Sequence, residues 1–491
     1  MRKYPIYLNN PNGIARSNEP VEVALLFEEG INEEKLTLLD NEETAIPFQI
    51  YDAVYKENLL EKGTLLFIAN IQSLTETYYL IEEDISINST IATEGIIEKD
   101  TTQEDGFKRL DTGYYELELC FGKANGTSAG KWGIRFFENI QERKNLIKDC
   151  SNAIGGFYGP FFTPKNGLIN PPEHTKVDII TEVVGNLYHR YRFKGKIPNG
   201  IDENLNNKKF EIIWEFYYGS PVFRRKYLVD DFETYVDGMV VKNKITVGDE
   251  FESGQGNVVF NKFAAYGDTF YRQGDLYANI LSDNVREILR KDIPTDHPEL
   301  LKYKKAIGLN INEVSWDYFW KMFCSEENLL TQEEIREHVD KIIPTAHQIT
   351  HQGIRNQQVL KERSIEVNDA PEQTIFPMGA NKTCEYSDET GYSMVWYTDT
   401  MINRYQIVQR KDSGWVNWGT NGENEYPELT TGTTIKTAYG KFENWEDIAD
   451  MLEKPIMASF SIIAEEVEGN LCMEPLKQVE LSLSVPLETN L

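Results

Sequence analysis

The sequence lacks the short motifs that identify a cofactor-dependent reaction. Its 491 residues contain no GxGxxG fingerprint and no GxxxxGK[ST] loop, so neither a dinucleotide-binding fold nor a phosphate loop is predicted. Cysteines are few, odd in number and scattered without a CxxC pair, which favours free thiols in a reducing compartment over disulfides or a zinc site. They are Cys120, Cys150, Cys324, Cys384 and Cys472.

One pair of histidines has a spacing that suits a metal. His347 and His351, in TAHQITHQGIR, are four residues apart and would share one face of a helix. The glutamate of an HExxH motif is absent, and Pro344 and Gly353 bracket the segment, which disfavours a continuous helix. A capping or loop role is therefore favoured, and we predict no metal and no other cofactor.

The sequence also lacks long apolar runs and an excess of basic residues. No stretch approaches the length of a membrane span, and no apolar run follows the two basic residues of MRKYPIYLNNPNG, so no secretory signal is predicted. The formal net charge of −29 argues against nucleic acid and anionic membranes as partners. We expect a globular, cytoplasmic protein.

Aromatic residues are abundant, with 26 Tyr, 24 Phe and 8 Trp, and many lie in short β-like runs between Gly, Pro and Asn turns. No repeat of fixed period is evident. The pattern predicts a mostly β chain: a small β-domain over 1–90, the first part of a large β-sandwich over 105–281, and a carboxyl-terminal β region over 351–491 that completes or adds to the sandwich. Apolar spacing of three and four residues, with a capping box of Thr331 and Glu334, predicts a helical insertion or linker over 282–350.

Residues 173–247 contain the densest cluster of His, Arg, Tyr and Trp in the first half of the chain. Alternation along NLYHRYRF gives this predicted strand two faces, and only one of them can line a pocket. One face carries Leu187, His189, Tyr191 and Phe193, and the other carries Tyr188, Arg190, Arg192 and Lys194. If the first face is the core, His189 is a buried, hydrogen-bonded histidine; if it is open, His189 is a functional one.

Two passages are similar to known families. NNPNGIARSNEPVEVALLFEEG, with IPFQIYD and GTLLFIANI, resembles the small amino-terminal β-barrel of exo-acting rhamnogalacturonan lyase-like proteins. ITEVVGNLYHRYRFKG followed by FEIIWEFYYGSPVFRRKYLVDD resembles a strand–turn–strand passage of galactose-mutarotase-like sandwiches. The resemblance covers roughly residues 1–280 and implies a barrel-like domain, a galactose-mutarotase-like sandwich and an oligosaccharide partner.

The resemblance also implies a polysaccharide lyase, which cleaves a uronate-containing oligosaccharide by β-elimination. Such an enzyme needs a base, an acid, and a cation for the uronate carboxylate. The residues predicted for these roles are His189 or His174 as the base, Tyr191 as the acid, and Arg190, Arg192 or Arg225 as a bidentate carboxylate clamp. Trp415 and Trp418 are predicted to cover the apolar faces of the sugar.

Two other functions stay open on the sequence alone. A glycoside hydrolase would use two carboxylates from 388–426, where Asp399, Glu423 and Glu425 lie among aromatic residues. A non-catalytic carbohydrate-binding or structural module would use the sandwich without chemistry. The appearance of a new double bond in the product separates the lyase from both.

Overall fold

The computed structural model describes most of the chain outside a long central segment and the carboxyl-terminal residues. The described residues are 2–82, 94–101, 106–148, 152–158, 162–163, 167–168, 171–200, 203, 205–236, 239–254, 256–266, 365–366, 373–376, 380–402, 405–410, 413–419, 429–463 and 465–466.

Strands dominate these residues. The first are β1 Arg2–Asn9, β2 Arg16–Ile31, β3 Leu36–Leu39, β4 Ala45–Ile46, β5 Phe48–Lys56, β6 Leu59–Ile71 and β7 Thr75–Glu82. Next come β8 Ile97–Lys99, β9 Gly106–Asp111, β10 Tyr115–Cys120, β11 Gly133–Asn139, β12 Gly156–Tyr158, β13 Phe162–Thr163, β14 Gly167–Leu168, β15 Val177–Val183, β16 Tyr188–Lys196, β17 Lys209–Tyr217, β18 Val222–Val229, β19 Glu233–Val236, β20 Met239–Lys242, β21 Lys244–Glu252 and β22 Lys262–Tyr266.

The last strands follow the undescribed central segment. They are β23 Ile365–Glu366, β24 Gln373–Phe376, β25 Ala380–Tyr386, β26 Ser393–Ile402, β27 Tyr405–Arg410, β28 Trp415–Gly419, β29 Leu429–Thr430, β30 Thr434–Gly440, β31 Met457–Phe460 and β32 Glu465–Glu466. The helices among the described residues are α1 Pro171–His174 and α2 Trp445–Glu453, with 3-10 turns at Glu33–Lys35 and Ser128–Gly130. Asn444 caps α2 by accepting the backbone N–H of Glu446.

Strands β1 to β7, with β31 and β32, form what we call the amino-terminal unit. One sheet has the order β31-β1-β7-β3-β4, with β32 also pairing with β1, and the other has the order β2-β6-β5. Their facing sides enclose a core that includes Val23, Leu65 and Leu80. β31 pairs antiparallel with β1, with Phe460 opposite Ile6, so the chain returns to this unit after the sandwich.

The remaining strands form a large sandwich with a separate core. Its main sheet has nine strands in the order β15-β16-β17-β18-β30-β26-β25-β22-β23, and it packs against a six-stranded sheet around β21 and a four-stranded sheet in the order β11-β10-β9-β8. Buried and part-exposed residues alternate along β18 and along most of β16 and β17, which gives the main sheet one face toward this core. The other face of β16 to β18 meets the amino-terminal unit, as in the contact between Gln49 and Tyr188.

The prediction of a mostly β chain with several sheets and few helices is confirmed. Within the described ranges the amino-terminal sheets do not close into a barrel. The domain boundaries stay predictions, and the helical segment predicted over 282–350 lies outside the described residues, as do His347 and His351. The two described cysteines, Cys120 and Cys384, are buried free thiols. No helix in the described part of the chain is long and apolar enough to cross a membrane.

Candidate functional site

Strand β16 has the two faces that its sequence predicts. His189 and Tyr191 point toward the sandwich core and are 1% and 0% exposed. Arg190 and Arg192 point to the opposite side, toward the amino-terminal unit and the neighbouring strands. The side chains of His189 and Tyr191 therefore lie on one side of the sheet, and those of Arg190 and Arg192 lie on the other.

His189 and Tyr191 belong to a chain of hydrogen bonds that leads outward from the core. Nε2 of His189 lies 3.0 Å from the backbone oxygen of Gly185, and since a carbonyl only accepts, Nε2 carries the hydrogen. Nδ1 of the neutral ring therefore accepts from the Tyr191 hydroxyl at 2.7 Å. The same hydroxyl lies 3.3 Å from Oε1 of Glu98, whose two oxygens accept from Nζ of Lys108 at 2.7 and 2.8 Å.

This chain reaches solvent at Glu98, where the edge strand β8 of the four-stranded sheet meets β16 of the main sheet. The Glu98 side chain is 44% exposed. Beside it Phe107 is 45% exposed and packs edge-to-face on Phe121 at 6.3 Å between ring centroids. We call Glu98, Lys108, Tyr191 and His189, with the rings of Phe107 and Phe121, the edge cluster.

The electrostatics of the edge cluster favour a neutral interior and a charged rim. Burial lowers the pKa of His189, so the ring is neutral at pH 7. Burial also raises the pKa of Tyr191, with a further contribution from the charge of Glu98. The hydrogen bond from Lys108 lowers the pKa of Glu98, which keeps that carboxyl ionised.

A single hydroxyl hydrogen on Tyr191 serves two acceptors, His189 Nδ1 and Glu98. While the ring is neutral the hydrogen points to Nδ1, because that nitrogen has no hydrogen of its own. If the ring gains a proton, Nδ1 becomes a donor and the Tyr191 hydrogen turns to Glu98. The arrangement can therefore pass a proton between a buried imidazole and an exposed carboxylate.

The arginines on the other face of β16 already have carboxylate partners. Arg190 makes a bidentate pair with Asp52 of the amino-terminal unit, at 2.7 and 3.0 Å. Arg192 binds Glu182 and, at 2.5 Å, Glu211. The hydrogen bond that Arg190 donates to Asp52 is the main reason that the pKa of Arg190 is raised. Their predicted role as a substrate clamp stays a prediction, and in this conformation both guanidinium groups are occupied.

Arg225 lies in the sandwich core, 0% exposed, where it forms a bidentate pair with the equally buried Asp249 at 2.6 and 2.7 Å. Asp249 also accepts the backbone N–H of Gly155 at 2.8 Å and the indole N–H of Trp396 at 3.1 Å. This carboxylate therefore has a full set of donors. Such a network can hold the two layers of the sandwich in register, and Arg225 has no solvent-facing side from which to bind a substrate.

The other predicted site residues lie in separate places. His174 ends α1 and packs near Gly126, with its Cε1 3.6 Å from where a Cβ on that glycine would stand. Trp415 is half-buried in β28. Trp418 is in the same strand, with its side chain outside the described residues, as are Glu423 and Glu425. Asp399 is described and exposed.

Residues 126–130 read GTSAG, which matches the GxSxG pattern of a serine nucleophile elbow. A nucleophile elbow requires a strand before the serine and a helix after it. Here Ser128 begins a three-residue 3-10 turn, and β11 follows at Gly133. The local geometry therefore argues against a catalytic serine at this position. Among the described residues, no group of three His, Cys, Asp or Glu is placed to hold a metal ion.

Comparison with known proteins gives fold-level likenesses at low identity. The sequence matches no family model and no curated protein. Among solved structures, the chain is similar to an alpha-mannosidase from Enterococcus faecalis V583, at 8% identity and a TM-score of 0.47, covering 94% of this chain and 46% of that one. It is also similar to a glycosyl hydrolase family 38 protein from Enterococcus faecalis, at 8% identity and a TM-score of 0.43, covering 94% and 47%.

A third likeness is to a galactose mutarotase-like protein from Clostridium acetobutylicum, at 10% identity and a TM-score of 0.30, covering 70% of this chain and 97% of that one. The chain spans less than half the length of the two Enterococcus faecalis structures. Identities and TM-scores this low carry no argument about this chain.

Sequence reasoning missed four members of the edge cluster, Glu98, Lys108, Phe107 and Phe121. Glu98 falls in the polar segment 86–106, which the sequence marks only as a boundary, and it lies 93 residues from Tyr191 along the chain. One local signal was available. IIEKD, before the strand GFKRLD, contains a short apolar-and-charged alternation that can form an edge strand, and β8 does pair with β9.

Proposed function

We propose that this chain is a carbohydrate-active protein whose site is the edge cluster, and that it cleaves a uronate-containing oligosaccharide by β-elimination. One observation carries the proposal: hydrogen bonds join the buried ring of His189 through Tyr191 to the exposed carboxylate of Glu98. An exposed aromatic ring, Phe107, lies beside that carboxylate and suits the apolar face of a sugar. The resemblance of residues 173–247 to galactose-mutarotase-like sandwiches supports the same substrate class.

The chemistry follows from which groups face solvent. Glu98 takes the proton from the carbon next to the uronate carboxylate, and Tyr191 takes it from Glu98 while passing its own proton to Nδ1 of His189. The electron pair left on carbon forms the new double bond as the glycosidic carbon–oxygen bond breaks. The proton then returns along the same three groups to the leaving oxygen, so the enzyme ends as it began.

The cation that neutralises the uronate carboxylate comes from the same edge of the sandwich. Nζ of Lys108 lies 5.7 Å from the centroid of Phe107, and Nζ of the exposed Lys176 lies 5.4 Å from that of Phe121. A sugar resting on the Phe121 ring would have its carboxylate near the exposed ammonium group of Lys176, while Lys108 stays paired with Glu98. The arginines predicted for this role are engaged elsewhere. We include cytoplasmic action in the proposal, since the described cysteines, Cys120 and Cys384, are free thiols.

A second candidate is a non-catalytic carbohydrate-binding module. Its support is the burial of His189 and Tyr191, which are 1% and 0% exposed and would serve as hydrogen-bonded core residues. In that case Phe107, Lys108 and Lys176 bind a sugar, and nothing behind them reacts. The two candidates differ in whether the product contains a new double bond.

The test is ultraviolet absorbance of that double bond during incubation with a panel of uronate oligosaccharides. The lyase proposal predicts rising absorbance that Glu98→Gln abolishes. Glu43→Gln is the matched control, because Glu43 also pairs with a lysine, Lys3, at 2.9 Å, but in the amino-terminal unit. Binding without turnover would favour the module, and new reducing ends without the absorbance would favour a hydrolase.

A further inference from the structure

Gln49, in β5 of the amino-terminal unit, contacts the backbone that leads into β16, next to the edge cluster. Its Oε1 accepts the backbone N–H groups of Leu187 and Tyr188 at 3.1 and 3.0 Å. Its Nε2 donates to the backbone oxygen of Tyr188 at 3.2 Å. The amide of Gln49 therefore pairs with the backbone of Leu187 and Tyr188, where the turn at residues 184–187 runs into β16, much as a neighbouring strand would.

The same turn fixes the histidine of the edge cluster. Gly185, within it, supplies the carbonyl that accepts from Nε2 of His189 at 3.0 Å. That bond places the ring hydrogen on Nε2 and leaves Nδ1 free to accept from Tyr191. A residue that fixes the position of this turn therefore also fixes the tautomer of His189, in which Nδ1 keeps the lone pair that accepts from Tyr191.

Gly185 and Gln49 fit each other closely. A Cβ on Gly185 would lie 2.2 to 2.4 Å from the amide atoms of Gln49, closer than any side chain tolerates. The backbone φ of Gly185 is not in the left-handed region, so its conformation alone does not require glycine. Glycine is required because the Gln49 amide lies where a side chain would stand. The turn and the amide are therefore one unit that spans the two parts of the molecule.

We propose that Gln49 is a positioning residue for the edge cluster: it holds the 184–187 turn so that Gly185 selects the Nε2–H tautomer of His189. Only the expected effect of Gln49 on turnover rests on the proposed function. Its structural content, the tautomer of one ring, stands apart from any substrate. Gln49 touches neither His189 nor Tyr191, so it acts through the backbone of the turn alone.

The test is the nitrogen chemical shifts of the His189 ring in the full-length chain labelled with ¹⁵N-histidine. With six histidines in the sequence, His189→Gln assigns the signal by its disappearance. The wild-type chain should show one neutral ring with hydrogen on Nε2. Gln49→Ala should give a mixture of tautomers, and Gly185→Ala, which pushes the amide away without deleting it, should give the same change.

Asp52→Asn is the matched control. It removes the bidentate pair with Arg190, another link between β5 and β16, but leaves every hydrogen bond of the 184–187 turn in place. It should leave the tautomer as in the wild type. The proposal is overturned if Gln49→Ala and Gly185→Ala keep a single Nε2–H ring, or if Asp52→Asn changes the tautomer as much as they do.

Turnover supplies a separate readout. If the edge cluster cleaves uronate oligosaccharides, Gln49→Ala should lower kcat at least about tenfold with KM nearly unchanged, because only the relay behind Glu98 is disturbed. A tautomer change in a chain with no lyase activity would uphold the positioning role and refute the proposed function. Should Gln49→Ala fail to fold, Gln49→Glu keeps the acceptor for both N–H groups, loses only the donor to Tyr188, and should give the smaller shift in tautomer.

Discussion

Replacing Asp249 with asparagine tests whether Arg225 is a core residue or a substrate clamp. The two side chains are each 0% exposed, and two hydrogen bonds of 2.6 and 2.7 Å join them. Asparagine keeps the size but removes the charge, so Arg225 is left as an uncompensated buried cation. Breaking a buried pair in this way costs about 3–5 kcal/mol of unfolding free energy.

Two neighbouring groups add detail to that estimate. Asp249 also accepts from Gly155 and Trp396, so an asparagine nitrogen in either position faces a donor and loses a bond. Glu385 should reduce the loss of stability. Burial and the charge of Asp249 raise its pKa, and removing that charge beside Arg225 lets Glu385 ionise and partly replace it. Asp249→Asn with Glu385→Gln should therefore be less stable than Asp249→Asn alone.

The assay is urea unfolding followed by tryptophan fluorescence, with Asp52→Asn as the matched control. Asp52 makes the same bidentate contact with an arginine, but its side chain is 53% exposed, so its loss should cost about 0.2–1 kcal/mol. Replacing the buried pair by apolar residues, Arg225→Met with Asp249→Leu, should recover much of the loss. Equal stability of Asp249→Asn and the wild type would refute the structural role of Arg225.

Two further predictions concern the same sandwich. Because burial lowers the pKa of His189 below its ordinary 6.5, the unfolded chain binds a proton at pH values where the folded chain does not. The free energy of unfolding is therefore at its full value above pH 6.5 and falls below it, by at most about 1.4 kcal/mol per pH unit. The midpoint of urea unfolding should fall less steeply with decreasing pH in His189→Gln than in the wild type, and parallel curves would contradict this. Gly155→Ala should lower the free energy of unfolding by about 1–3 kcal/mol in thermal unfolding, because Gly155 has φ +86° and its new Cβ would stand 2.3 Å from the Trp214 ring. Gly200→Ala is the control for backbone strain alone, since Gly200 has φ +91° and open space around it. An equal loss of stability in the two variants would show that the ring contact does not matter.

The strands and their faces could be predicted from the sequence because alternation is a local property. Burial alternates residue by residue along β18, as VFRRKYLV indicates, and along β16 from His189 to Lys194. Tyr188, on the other face of β16, is buried as well. Alternation does not show which other strands or loops cover each face. Tyr191 faces the core with His189, and only the packing of β8 beside the 184–187 turn brings Glu98 to its hydroxyl.

Charge partners could not be predicted for the same reason. Arg190, Arg192 and Arg225 look alike in the sequence, yet one pairs with the amino-terminal unit, one with its neighbouring strands and one with a buried aspartate 24 residues away. Each pairing depends on which strands lie side by side or face to face in the fold, whether they are close in the chain, as for Arg192, or far apart, as for Arg190. A sequence with 79 acidic residues offers too many possible partners for spacing alone to choose among them.

The most direct test of the edge cluster is Tyr191→Phe, which removes one hydroxyl and keeps the ring packing. The hydroxyl is the link between His189 Nδ1 and Glu98, so its loss should lower β-elimination by about 10²–10⁴-fold. Tyr78→Phe is the control, since its buried hydroxyl lies 3.4 Å from Glu76 in the amino-terminal unit. A large loss of turnover in Tyr191→Phe alone, with both variants folded, is the predicted result. Cleavage of uronate oligosaccharides at the wild-type rate by Tyr191→Phe would contradict the proposed relay.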